Sequence, residues 1–155
     1  MHANCLAVNA VLAAAGVPGR VRILAEAAPT AAAAAALVGV EVGAIANSLV
    51  FACAEGDPLL VLTSGAHRVD TEKVAALVGT AKLSRATPEF VYAATGQRIG
   101  GVAPVGHPTP LRTVVDTALG RHPQVWAAGG IPHAVFPTTF AELVRLTAGL
   151  AADVE

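Results

Sequence analysis

Gly100-Gly101-Val102-Ala103-Pro104-Val105-Gly106, preceded by Thr95-Gly96 and followed by His107-Pro108, is the stretch of this chain best suited to chemistry. Glycine lets backbone N–H groups approach a ligand with no Cβ in the way, and Pro104 fixes one φ and stiffens the bend. Such a loop can cradle an anion or a carbonyl oxygen; on the glycines alone, a tight connection between two strands explains it equally well. A second stretch, Ile45-Ala46-Asn47-Ser48-Leu49-Val50-Phe51, sets one amide and one hydroxyl in an otherwise apolar run. Together they describe a site with no protein nucleophile, suited to stabilising an oxyanion while substrate or water supplies the attacking group.

Other catalytic patterns fail on spacing. Gly96 to Gly101 has the outline of a phosphate-binding loop, but Val102 stands where that motif needs lysine, and the dinucleotide-binding G-x-G-x-x-G is absent. His2, His67, His107, His122 and His133 form no pair at metal-ligand spacing, so no metal site is expected. Ser48, Ser64 and Ser84 lack a G-x-S-x-G elbow and read as strand or turn hydroxyls. Cys5 and Cys53 are far apart and in no C-x-x-C spacing, which fits buried small hydrophobes in a reducing compartment, with no disulfide.

Composition bounds the rest. At 155 residues one domain spanning 1–155 is expected. A mean hydropathy of +0.60, with 54% hydrophobic and 14% charged residues, comes mostly from alanine, valine and leucine. The most membrane-like region, Ala31 to Ala54, is broken by Glu41 and Asn47, and Met1-His2-Ala3-Asn4 has no basic leader. A cytoplasmic protein without a membrane partner is therefore expected. The formal charge of −1 argues against coating nucleic acid by bulk electrostatics. Local basic patches at Arg20 with Arg22, or Lys82 with Arg85, can still collect phosphates, and an ordinary solvated surface accounts for them as well.

The elements that must position these stretches follow from periodicity and caps. Asn4 to Ala15 reads as a helix stopped by Gly16, and Arg20 to Leu24 as a short strand with one wet face. An alanine-rich helix opens at Pro29-Thr30 and ends at Val38-Gly39. Ile45 to Ala54 reads as a strand covered on both faces, paired as a hairpin with Leu59 to Thr63. Asp70 or Thr71 caps a helix reaching Gly79, a short piece follows at Lys82-Leu83-Ser84, and Thr87-Pro88 opens another helix ending at Gly96. Beyond the glycine loop come strands at Thr113 to Asp116, Gln124 to Ala128 and His133 to Phe136, then a helix capped by Thr138 or Thr139. The irregular mix predicts an α/β fold of α+β character: a mixed, mainly antiparallel sheet or partly closed barrel flanked by helices.

The order of these features, with Asp70 and Lys73 between the two stretches and Gly129-Gly130 with His133 after them, resembles the YbaK/ProX family over nearly the whole chain. That family comprises freestanding aminoacyl-tRNA deacylases and the related editing domain of some bacterial prolyl-tRNA synthetases. The resemblance implies their mixed α/β fold, hydrolysis of the ester of a mischarged tRNA, and no metal or other cofactor. Gly100 to Pro104 matches the family's G-x-x-x-P loop. The resemblance then implies Gly100 and Gly101 as oxyanion donors, and a hydroxyl of the terminal adenosine that helps water attack. It also implies contacts to the substrate from Pro104, Ser48, Val102, Ala103, Gly129 and His133; for His133 a solvated strand-start histidine is an equal reading. Asn47 stands where the family carries a lysine, so a hydrogen-bonding amide replaces a charge.

The leading expectation is a deacylase that edits aminoacyl-tRNA in trans, with Asn47 positioning the acceptor end. A side chain at Gly100 or Gly101 is then expected to lower turnover while the protein stays folded. The alternative, which Asn47 favours, is a non-catalytic module that binds aminoacyl-tRNA or docks on a synthetase. A binder of another small nucleotide or acyl ligand is the third reading.

Overall fold

The computed structural model describes residues 1–155. The first helix, α1 (Ala3–Ala14), forms because Cys5, Val8 and Leu12 recur at helical spacing; all three are fully buried. Burying such side chains stabilises the fold by about 1.5–3 kcal/mol each for Val or Leu. A two-residue edge strand, β1 (Arg22–Ile23), follows, both of its residues exposed and Val21 alone turned inward. The alanine run makes α2 (Ala31–Val38), with the Thr30 hydroxyl accepting the Ala33 N–H and Gly39 closing it at φ 77°.

The hairpin β2 (Ile45–Cys53) and β3 (Pro58–Ser64) is the centre of the sheet. After it, α3 (Thr71–Val78) is capped by Asp70 and β4 (Leu83–Arg85) returns to β2. Thr87 caps α4 (Pro88–Thr95), which Gly96 ends at φ 71°. The glycine loop then leads to β5 (Arg112–Asp116), β6 (Val125–Ala128) and β7 (Ala134–Thr138). Thr139 caps α5 (Phe140–Thr147), and a short β8 (Leu150–Ala152) completes the sheet.

The strands run in the order β1-β7-β6-β2-β3-β5-β8, with β4 also on β2. Pairs β1–β7, β2–β3, β2–β4 and β6–β7 are antiparallel, and β2–β6, β3–β5 and β5–β8 are parallel. The expected mixed, mainly antiparallel sheet flanked by helices is thus what the chain forms, but it stays open and does not curl into a barrel. One core lies between α1, α5 and the sheet, and the glycine loop belongs to it through Ala103 and Val105. A second packs α3 on β3 and β5, and a third packs α2 on β6 and β7. Buried Asp116 accepts the N–H groups of Ser64 and Ala118 and meets His67 Nδ1 at 2.9 Å, which ties β3 to β5.

One expectation about β2 needs correction. Only Ile45 and Ala46 are fully buried, and the strand is half-buried from Asn47 onward. The cause lies on its outer edge, where β6 pairs at Ile45 and Ala46 and β4 takes over only at Phe51. Between the two partners the sheet forks.

Candidate functional site

The fork opens a cleft of about 370 Å³ whose lining includes Asn47, Ser48, Gly100 and Val102. The strand and the loop picked out by sequence therefore meet in one hollow. Thr30 and Ala31 line it too, so α2 presents its N-terminal end there and adds positive potential. Apolar walls come from α2, β6 and β7, including Ala34, Trp126 and Val135. No aspartate or glutamate lines the cleft, and Arg85 is its one charged side chain. A larger hollow of about 530 Å³ lies at the far end of the β2–β3 hairpin, where Glu55, Asp57 and Arg112 mix both charge signs. Nothing in it joins the loop to the strand.

Backbone pairing determines what β2 offers the cleft. Gly65 N donates to Ile45 O and Cys53 N to Asp57 O, so odd-numbered residues of β2 bond to β3. Even-numbered residues direct their N–H and C=O groups to the other edge. There Ala46 meets β6 and Ala52 meets β4, while Ser48 has neither strand beside it. The Ser48 hydroxyl is buried and also makes no hydrogen bond within the chain. Buried polar atoms are almost always paired, and this orphaned one belongs to a residue that lines the cleft. Ser48 shares its face of β2 with Ala46 and Val50, which pack in the core that holds Ala103 and Val105. Asn47 faces the other way, beside Ile45 and toward α2, and its side chain makes no internal hydrogen bond either.

The loop is held at one residue. Ala103 donates its N–H to Gln97 Oε1 at 2.7 Å, and its carbonyl lies 2.7 Å from His107 Nε2. Gln97 is only 1% exposed, and its Nε2 has no partner. Burial pushes the His107 imidazole below its ordinary pKa, an effect the bond to Ala103 partly opposes. A neutral ring donating from Nε2 fits this geometry. Sequence reading missed Gln97 and His107 as supports of the loop, because nothing local marks a side chain that folds back over six residues.

The oxyanion donors need one revision. The Gly101 N–H is taken by Arg98 O at 3.1 Å, whereas the N–H groups of Gly100 and Val102 make no bond within the chain. Gly101 is required for another reason: a Cβ there would stand 2.6 Å from Ile131 Cα and Pro132 N. Substitution at Gly101 therefore strikes the fold first, contrary to the sequence expectation. Gly100 has φ +95°, and a Cβ would lie 3.6 Å from that of Pro29.

Four other expected contacts lie outside the lining. Ala103 and Pro104 are buried behind the loop, Pro104 lining a small hollow with His107. Gly129 is buried against Ala134, whose carbonyl accepts its N–H at 2.7 Å. The His133 side chain is exposed, and its carbonyl accepts the Leu24 N–H at the β1 edge. Their neighbours Ala128, Ala134 and Val135 form the wall instead. Both thiols are free and burial raises both pKa values, Cys53 further through nearby Glu55, which leaves them poor nucleophiles. No three His, Cys, Asp or Glu side chains converge where they could hold a metal ion. No helix is long and apolar enough to cross a membrane.

Several known proteins resemble this chain in sequence or in fold. A proline–tRNA ligase from Nitratidesulfovibrio vulgaris (strain DP4) is 36% identical over 84 residues, which are 54% of this chain and 14% of the ligase. The chain thus spans a small part of that relative's length. The uncharacterized protein YwhH of Bacillus subtilis (strain 168) is 33% identical over 111 residues, 71% of this chain and 69% of YwhH. A crystal structure of a candidate trans-editing enzyme for prolyl tRNA synthetase superposes with a TM-score of 0.92 at 44% identity, covering 100% of this chain and 98% of the other. The hypothetical protein APE2540 gives 0.88 at 31% identity, covering 96% and 98%. The model of the aminoacyl-tRNA editing domain matches residues 25–146, which take in the forked strand, the loop and every wall of the cleft, and the chain belongs to that family.

Proposed function

We propose that this chain hydrolyses the ester of a mischarged tRNA in trans, serving prolyl-tRNA synthetase in the cytoplasm as one editing unit spanning 1–155. The observation that carries the reading is the pair of unbonded N–H groups at Gly100 and Val102, in one cleft with the unpartnered Ser48 hydroxyl and the Asn47 amide. Attack of water on the ester carbonyl moves charge onto its oxygen, and fixed N–H donors stabilise that charge without reorganising. A hydroxyl of the terminal ribose helps deliver the water, Ser48 and Asn47 orient the acceptor end, and the apolar wall receives the amino-acid side chain.

A second reading rests on Asn47, whose amide supplies no charge where the family resemblance places lysine: a module that binds aminoacyl-tRNA, or docks on the synthetase, without hydrolysis. Release of amino acid from purified mischarged tRNAs, tRNA for proline included, separates the two. Release of at least one amino acid well above the buffer rate supports the deacylase. Binding with release at the buffer rate for the whole panel supports the module.

A further inference from the structure

Arg85 is the cleft's one charged side chain, and it makes no hydrogen bond or ion pair within the chain. Its place is fixed by the sheet. Arg85 pairs with Phe51 across β2 and β4, and paired residues project to the same side, so Arg85 stands on the face of β2 that carries Asn47 and Leu49. The offset from Asn47 is four residues along the strand, about 13 Å between backbones, which a long guanidinium side chain reaches across in part. The cleft holds no carboxylate to neutralise this cation, and the positive end of α2 adds to it.

We propose that Arg85 is the anion-binding residue of the site and that its ligand is a phosphodiester of the tRNA acceptor end. The proposal rests on the editing reading above. The ester linkage itself is uncharged and the amino group is cationic, so the phosphodiesters are the anions that the end of every charged tRNA brings, whatever its amino acid. A planar guanidinium meets two phosphate oxygens at once, which gives direction as well as attraction. The charge missing at Asn47 is thus supplied from another strand, and the anion sits toward β4 rather than over β2.

Titration with uncharged tRNA over a range of salt tests this, using wild type, Arg85→Gln, Arg85→Lys, Lys82→Gln and the double variant Asn47→Lys/Arg85→Gln. Loss of one contact to a single-stranded end should flatten the log–log salt dependence by about 0.7 in Arg85→Gln. The lysine variant should keep the slope at lower affinity, Lys82→Gln should match wild type, and lysine at 47 should restore the slope. On a hydrolysed substrate, Arg85→Gln should raise KM with kcat held, at an unchanged unfolding temperature. A wild-type slope in Arg85→Gln overturns the role of Arg85 alone, provided wild type binds and hydrolyses. Wild type that neither binds tRNA nor releases amino acid overturns the editing reading and this proposal with it.

Discussion

Gln97 holds Ala103 by its main chain: the buried side-chain oxygen accepts the Ala103 N–H at 2.7 Å, and this bond fixes the loop from which Gly100 and Val102 present their free N–H groups. Replacing Gln97 by leucine leaves a buried N–H without a partner, which costs about 1–3 kcal/mol. Differential scanning should show a lower unfolding temperature. Turnover should fall roughly 10-fold or more as the donors lose alignment, with tRNA affinity little changed. Undiminished turnover in a folded Gln97→Leu protein would show that the loop holds its shape without this bond.

Gly100 and Gly101 should respond differently to the same methyl group. At Gly101 alanine meets the Ile131–Pro132 backbone, so Gly101→Ala should unfold well below wild type or accumulate as insoluble protein. Gly100→Ala meets only ordinary contacts but must adopt φ +95°, at a cost of about 1–2 kcal/mol. That variant should remain folded and lose turnover. Equal unfolding temperatures for the two would contradict the close approach at Gly101.

Ser48→Ala removes a buried hydroxyl that has no partner in the free protein. Stability should hold or rise slightly, since an unsatisfied group is lost with little volume. Activity should fall, by roughly 10-fold for one hydrogen bond of about 1.4 kcal/mol to the substrate. A stability loss without an activity loss would assign Ser48 to the core.

His107 links the loop to pH. Its pKa is lowered from 6.5 by burial, so below that value the unfolded chain binds a proton more readily than the folded one. The stability contribution of the neutral ring is complete above about 6.5 and declines as pH falls toward the folded value. Unfolding temperature followed from pH 8 to 5 should drop more steeply in wild type than in His107→Gln, whose amide has no such titration. Parallel curves would remove His107 as the cause.

The parts of the fold written locally were legible in sequence. Thr87-Pro88 and Gly96 delimit α4 within a residue, and Asp70 caps α3, because caps and stops act over one turn. Asn47 and Ser48 stood out as polar residues in an apolar strand, and the structure puts both beside the glycine loop in one cleft. The fork was hidden, since it depends on where β4 and β6 arrive along β2 from distant parts of the chain. Gln97 was hidden for the same reason, and for Arg85 a phosphate-collecting patch and an ordinary solvated surface were equal readings until its pairing with Phe51 placed it at the cleft. The short β8, Leu150-Ala151-Ala152, is too brief to carry a strand pattern, and its partner β5 creates it.

The break in pairing on β2 also makes a built-in reporter. A central strand ordinarily shields its amides from solvent isotope for as long as the domain stays folded, yet the Ser48 amide has no strand across from it on the forked edge. In deuterated buffer it should therefore be labelled early, while Asn47 and Leu49 on either side stay protected by β3. A ligand seated in the fork would slow that one amide, so occupancy could be followed residue by residue without any probe attached to the protein or to the RNA.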